Sequence, residues 1–205
     1  MELALVRHAH PDSPASPEQR SDPGLSDTGR RQAAAVADRL RHQTWHAVYT
    51  SPQQRAVQTA ATVADALGLE PRVVPGLAEF DHGRPYLHFE DLAKDGNEAM
   101  AAFRREDFSA YDTDVATIRH NAVTAIEEII AAHPGERVVV VSHGTVINAF
   151  AGGFLGSQKL VFHHPSYTGL TSVLASRRGD RELTRLNDST HLRLPWPAPT
   201  DKELT

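Results

Sequence analysis

Four short segments of this chain carry residues able to do chemistry together. Arg7-His8-Ala9 ends the apolar run Leu3-Ala4-Leu5-Val6. Arg55 lies in Ser51-Pro52-Gln53-Gln54-Arg55-Ala56, Glu79 in Leu77-Ala78-Glu79, and His143 in Val141-Ser142-His143-Gly144. A neutral imidazole attacks phosphorus without a strong base, so His8 reads as a nucleophile whose other ring nitrogen should donate to a carbonyl. Guanidinium keeps its charge and offers several donors, so Arg7 and Arg55 read as a clamp on phosphoryl oxygens. His143 reads as a further donor to that group. Glu79 reads as a general acid that later draws a proton from water, with Asp81 and His82 as alternatives close by. The set suffices to move a phosphoryl group through a phosphohistidine with no metal or other cofactor.

The surrounding sequence must hold these residues at one place. Residues 11–24 contain Pro11, Pro14, Pro17, Pro23 and Gly24 and read as a loop after the nucleophile. Ser26 reads as the cap of a helix running to Leu40, with Ala33, Val36, Ala37 and Leu40 on one face. Ala47–Thr50 predicts a strand. Ser51-Pro52 predicts a cap and first helical residue, and Gly68 a helix stop after Ala66. A short strand is expected at Arg72–Val74, then an inserted cap over about 80–110 with one or two short helices. Val115, Ile118, Ala122, Ile126, Ile129 and Ile130 predict a helix ended by Pro134-Gly135. Val138–Val141 is continuously β-branched, as in a strand buried on both faces. Gly144–Phe154 predicts a helix, and residues 171–175 and 182–186 a hairpin. The expectation is α/β: a three-layer α/β/α sandwich with a mostly parallel central sheet and a small inserted cap, forming a single domain over 1–194 with a mobile tail at 195–205. Such a sheet gathers ligands at the carboxyl ends of its strands, where Arg7-His8, Ser51 and Ser142-His143 all fall.

The order of these segments resembles the histidine phosphatase superfamily, which includes cofactor-dependent phosphoglycerate mutases and many phosphatases. The resemblance rests on Leu5–Ala9, Leu25-Ser26-Asp27-Thr28-Gly29 with Gln32-Ala33, Ser51-Pro52 through Arg55-Ala56, Gln58-Thr59-Ala60, Glu79 and Ser142-His143-Gly144. The late Asn187-Asp188 and His191-Leu192 look like the family's final strand and its exit. The resemblance implies a phosphatase of small phosphomonoesters acting through phosphohistidine on His8. It also implies departures. Ala9 stands in place of a usual glycine, and His10 where an acid or amide is common. Pro14 replaces an asparagine that touches phosphate, with Ser13 or Ser16 as a hydroxyl substitute. His10, Ser13, His82 and Arg84 join Arg7, Arg55 and His143 as expected substrate contacts. His82, Arg84, Tyr86 and His88 together suggest a covered pocket.

Composition narrows the alternatives. The 205 residues suit one domain with a full core, 40% are hydrophobic and the formal net charge is -5 with histidine neutral. That acidity disfavours a nucleic-acid reader and makes the cationic set a local pocket for a small phosphorylated substrate. With Cys 0 there is no thiolate chemistry. The absence of an apolar span or secretory start points to no membrane partner and a cytoplasmic setting. His8-Ala9-His10-Pro11-Asp12 has a spacing that can open a dinuclear metal site, but Ser13 follows where another histidine would be expected. A mutase-type phosphoryl transferase, a phosphohistidine-protein phosphatase and a non-catalytic phospho-ligand-binding module are the other readings. The length of 80–110 favours hydrolysis over mutase chemistry. Oligomeric state is not legible.

Overall fold

The structure, a computed structural model, describes residues 1–12, 22–84, 86 and 98–192. The expected tail at 195–205, most of the expected cap helices before residue 98, and Ser13, Ser16 and His88 lie outside the described residues. Six strands form one sheet in the order β3-β2-β4-β1-β5-β6. They are β1 (Glu2–Arg7), β2 (Ala47–Thr50), β3 (Pro71–Val73), β4 (Arg137–Ser142), β5 (Leu170–Ala175) and β6 (Arg181–Asp188). The first four run parallel, and β5 pairs antiparallel with both β1 and β6. The helices are α1 (Asp27–Leu40), α2 (Gln54–Leu67), α3 (Glu98–Arg104), α4 (Val115–Ala132) and α5 (Gly144–Leu155).

Strand alternation explains the layers. Leu3 and Leu5 of β1 join Val138 and Val140 of β4 in a core with Ile118, Ile126, Ile129, Val146, Ile147 and Phe150 from α4 and α5. The intervening Ala4, Val6, Val139 and Val141 face Val36, Ala37, Leu40, Ala60 and Val63 from α1 and α2. Successive side chains of a strand point to opposite faces, so both faces of β1 and β4 must be apolar when helices cover both sides. The expected three-layer arrangement is therefore present. No described helix is long and apolar enough to cross a membrane.

Most element ends follow local chemistry. The Ser26 hydroxyl accepts from Gly29 N at the start of α1, and Asp114 does the same for Thr117 N at α4. Gly68 ends α2 in the left-handed region at φ 66°. One expectation fails: Ser51 does not cap α2 and Pro52 is not its first residue. The helix begins at Gln54, with Gln53 at the cap position making no side-chain cap bond, and Ser51 Oγ lies 2.7 Å from His143 Nε2. The Gln54 amide is also taken, by Asp22 at 2.8 Å, so it is not open to an anion. β3 begins one residue earlier than expected, and β6 extends beyond the expected hairpin at both ends.

Candidate active site

Topology brings the chemistry together. β4 lies between β1 and β2, so the residues that leave these three strands are neighbours. His8 N donates to Ser142 O at 2.8 Å, and Ser51 N to Val141 O at 3.1 Å. The rings of His8 and His143 then stand 5.0 Å apart, centroid to centroid. After β3 the chain makes a 3₁₀ turn, Pro75–Leu77, and Ser142 Oγ donates to Leu77 O at 2.8 Å. That bond sets the approach of Glu79 to the sheet edge. Arg7, His8, Glu79, Thr145 and His143 line one cavity of about 120 Å³.

The five central residues are buried and incompletely bonded. His8 is 3% exposed, and its Nδ1 lies 2.8 Å from Ala9 O. Donation to that carbonyl fixes the proton on Nδ1 and leaves Nε2 with a lone pair. Burial, then the charges of Arg55 and Arg7, hold the His8 pKa well below its ordinary value, so the ring is neutral at pH 7. Arg7 Nη1 donates to Pro165 O at 2.5 Å, and its guanidinium carbon sits 4.0 Å above the Tyr167 ring. Arg55 donates from Nη2 to both Asp81 oxygens at 2.8 and 3.2 Å and stacks 4.4 Å from the Tyr86 ring centroid. Yet Arg7 Nε, Arg55 Nε, Arg55 Nη1 and His143 Nδ1 are buried with no hydrogen-bond partner.

His143 shows why its free nitrogen is a donor. Burial, followed by the nearby arginines and His8, keeps it neutral. With the Ser51 hydroxyl donating to its Nε2 at 2.7 Å, the single ring proton falls on the unpartnered Nδ1. Glu79 carries the complementary feature. Thr145 Oγ1 donates to its Oε1, while Oε2 is buried without a partner. Burial and then Asp81 raise its pKa to about 7, against the opposing pull of Thr145, Arg55 and Arg7.

A family model described as histidine phosphatase superfamily (branch 1) matches residues 3–189. The chain belongs to that superfamily. It is 29% identical over 204 residues to phosphoserine phosphatase 1 of Hydrogenobacter thermophilus, covering 94% of each chain. It is 33% identical over 157 residues to phosphoglycerate mutase-like protein 4 of Arabidopsis thaliana, covering 72% of this chain and 68% of the relative. A crystal structure of a phosphoserine phosphatase variant from Entamoeba histolytica, in complex with phosphoserine, superposes with a TM-score of 0.72 at 24% identity. That match covers 93% of this chain and 98% of the other, and shows the shared fold. The chain is thus an enzyme of the phosphatase class.

The histidine phosphatase motifs include residues that do no chemistry and instead clamp backbone. Thr59 Oγ1 accepts from Ala9 N at 3.0 Å and donates to Arg55 O at 2.7 Å, tying the segment of His8 to the helix of Arg55. Gln58 Oε1 accepts from Leu25 N, and Gln32 Oε1 from His10 N. Gly29 admits the chain leaving β1: a Cβ there would lie 2.0 Å from His10 O. Ala9 is fully buried against Leu25 and Ala33, so its methyl fills space beside the site.

Other expected contacts are placed differently. His10 does not line the cavity; its Nδ1 lies 2.9 Å from Ser26 Oγ and its ring packs on Tyr167. His8 and His10 therefore turn to different partners. Among the described residues no group of three or more His, Cys, Asp or Glu is arranged to hold a metal ion. His82 is exposed, and Arg84 pairs with Asp112 on the surface, so neither lines the cavity. Ser13 falls outside the described residues. The sequence reading missed Gln53, Thr145 and Tyr167, and left Asp81 without a partner. Gln53 is fully buried, accepts from Glu79 N at 2.7 Å and donates to Asp81 at 2.8 Å. It had a usable signal: a polar residue between Ser51 and Arg55 in a segment already assigned to the site.

Proposed function

We propose that this enzyme hydrolyses small phosphomonoesters through a phosphohistidine on His8, without a metal ion. The observation that carries the reading is the set of unpartnered buried donors: Arg7 Nε, Arg55 Nε, Arg55 Nη1 and His143 Nδ1. Folded proteins rarely leave such groups unbonded, and four on cationic or neutral donor side chains around one nucleophile call for an anion. A phosphoryl group carries enough oxygens to accept from all of them.

In the first step the His8 Nε2 lone pair forms a bond to phosphorus while the bond from phosphorus to the ester oxygen breaks. Glu79, protonated through its free Oε2, gives its proton to the departing oxygen. A pKa of about 7 makes that proton available near neutrality. In the second step water attacks phosphorus, the Glu79 carboxylate takes the water's proton, and the electron pair of the P–N bond returns to His8. Asp81 is the weaker candidate for the acid, because its oxygens already accept from Arg55 and Gln53. Hydrolysis is favoured over mutase chemistry by the modest length of the 80–110 insertion, although relatives include a phosphoglycerate mutase-like protein and a probable phosphoglycerate mutase.

The test measures phosphate release from alkyl and aryl phosphates in excess chelator, with rapid quenching under conditions that preserve phosphohistidine. Activity should persist, and label from the substrate should appear on wild type and be absent from His8→Ala. Activity abolished by chelator and restored by a divalent cation would overturn the mechanism, as would full turnover in His8→Ala.

A further inference from the structure

The cavity extends beyond the phosphoryl donors, and that extension differs in chemistry from the phosphate end. Its walls include Phe80, Phe103, Phe108 and Tyr111. The rings form one cluster, with Phe80 centred 4.9 Å from Phe108 and 4.8 Å from Tyr111, and Phe103 centred 5.9 Å from Phe80. Ala102 and Val161 complete an apolar surface. The aromatic faces are thus shared between packing within the 80–110 region and a space continuous with His8 and Glu79.

Among the described lining residues Arg7 is the only lysine or arginine. Of the acids Glu79, Asp81 and Asp107, Asp81 is paired with Arg55 and Asp107 is exposed, and His8, His143, His163 and His164 are the lining histidines. Arg7 belongs to the phosphoryl clamp. Among the described residues of the 80–110 region, Arg84 pairs with Asp112 and Arg105 with Glu98, both on the surface. Away from the phosphoryl end, Asn148 Oδ1 and His163 Nε2 of the lining are buried with no partner. Asn148 Nδ2 donates to His163 O at 2.8 Å, which orients the amide with its oxygen free. Burial lowers the His163 pKa, so its ring is neutral at pH 7. These atoms can bond a hydroxyl or amide, but they offer no compensating charge to a carboxylate. Burying an unpaired carboxylate against these apolar walls is costly.

Resting on the phosphatase reading above, we propose that the leaving-group end of this cavity selects an uncharged, largely apolar alcohol and refuses carboxylate-bearing esters. A phosphate ester of a benzyl-type or short alkyl alcohol fits it. The preference would set this enzyme apart from the phosphoserine phosphatases it resembles.

The test compares kcat/KM for benzyl phosphate, its 4-carboxy derivative and O-phosphoserine on the intact protein. Benzyl phosphate should be favoured over both carboxylated esters by roughly 10²-fold, the scale expected for an unpaired buried charge. Ala102→Arg, which adds a cation to the wall, should shrink the ratio of benzyl to 4-carboxybenzyl ester at least tenfold. Equal or preferential hydrolysis of the carboxylated esters by wild type, still dependent on His8, would overturn this selectivity alone. Failure to hydrolyse any of the three would instead overturn the phosphatase reading beneath it.

Discussion

Replacing Glu79 with glutamine separates the stability of the folded protein from its chemistry. Glu79 is 9% exposed and carries a pKa of about 7, against 4.5 for the unperturbed group. Burial is the main cause and Asp81 the second. The neutral acid is the form the fold tolerates. Its contribution is therefore fully present below pH 4.5 and is lost as pH rises through 7. The shift from 4.5 to about 7 corresponds to about 3 kcal/mol at pH 8.5, and to about 1 kcal/mol at pH 5, where the unfolded group is only partly ionised. Glutamine keeps an acceptor for the Thr145 hydroxyl and never ionises. Glu79→Gln should match wild type near pH 4.5 and become more stable as pH rises. At pH 8.5 the gain should reach about 3 kcal/mol, or roughly 5–10 °C in Tm for a domain of this size. The lowered histidines, His8 and His143, act on the acid side of both proteins and cancel in the comparison. Thermal and urea unfolding across pH 4.5–8.5 give the difference directly. The same variant should lose most activity on alkyl phosphates and much less on p-nitrophenyl phosphate, whose leaving group hardly needs a proton. A pH-independent stability difference would refute the electrostatic account of Glu79. Equal losses on both substrates would refute its role as acid.

Arg55→Ala should lower kcat/KM by roughly 10²–10⁴-fold, the loss expected for a charge clamp on a transition state, and should weaken vanadate binding in parallel; unchanged vanadate affinity would remove Arg55 from the phosphoryl site. Ser51→Ala should cost about tenfold in kcat/KM, the worth of one buried hydrogen bond, and NMR of the labelled His143 ring should show its Nδ1–H form losing population; an unaltered tautomer would mean Ser51 does not orient the ring.

The sequence by itself determined the layers and named the candidate residues of the site. Alternating core residues in β1 and β4 require helices on both faces, and this pattern is local enough to read from Leu3–Val6 and Val138–Val141. The types and order of Arg7, His8, Arg55, Glu79 and His143 were likewise visible, because their chemistry resides in the side chains themselves. Tertiary structure decided the partners. Nothing near Ser51 in the chain says that its hydroxyl will leave a helix cap for a histidine 92 residues away. Asp81 was legible as an acid, yet its bond to Arg55 depends on where β3 and its turn release the chain. His82 and Arg84 follow Asp81 immediately but face outward, since the turn that buries one residue exposes the next. Charge state also waits on the fold: the pKa of Glu79 is set by burial and by neighbours that converge only when β4 settles between β1 and β2.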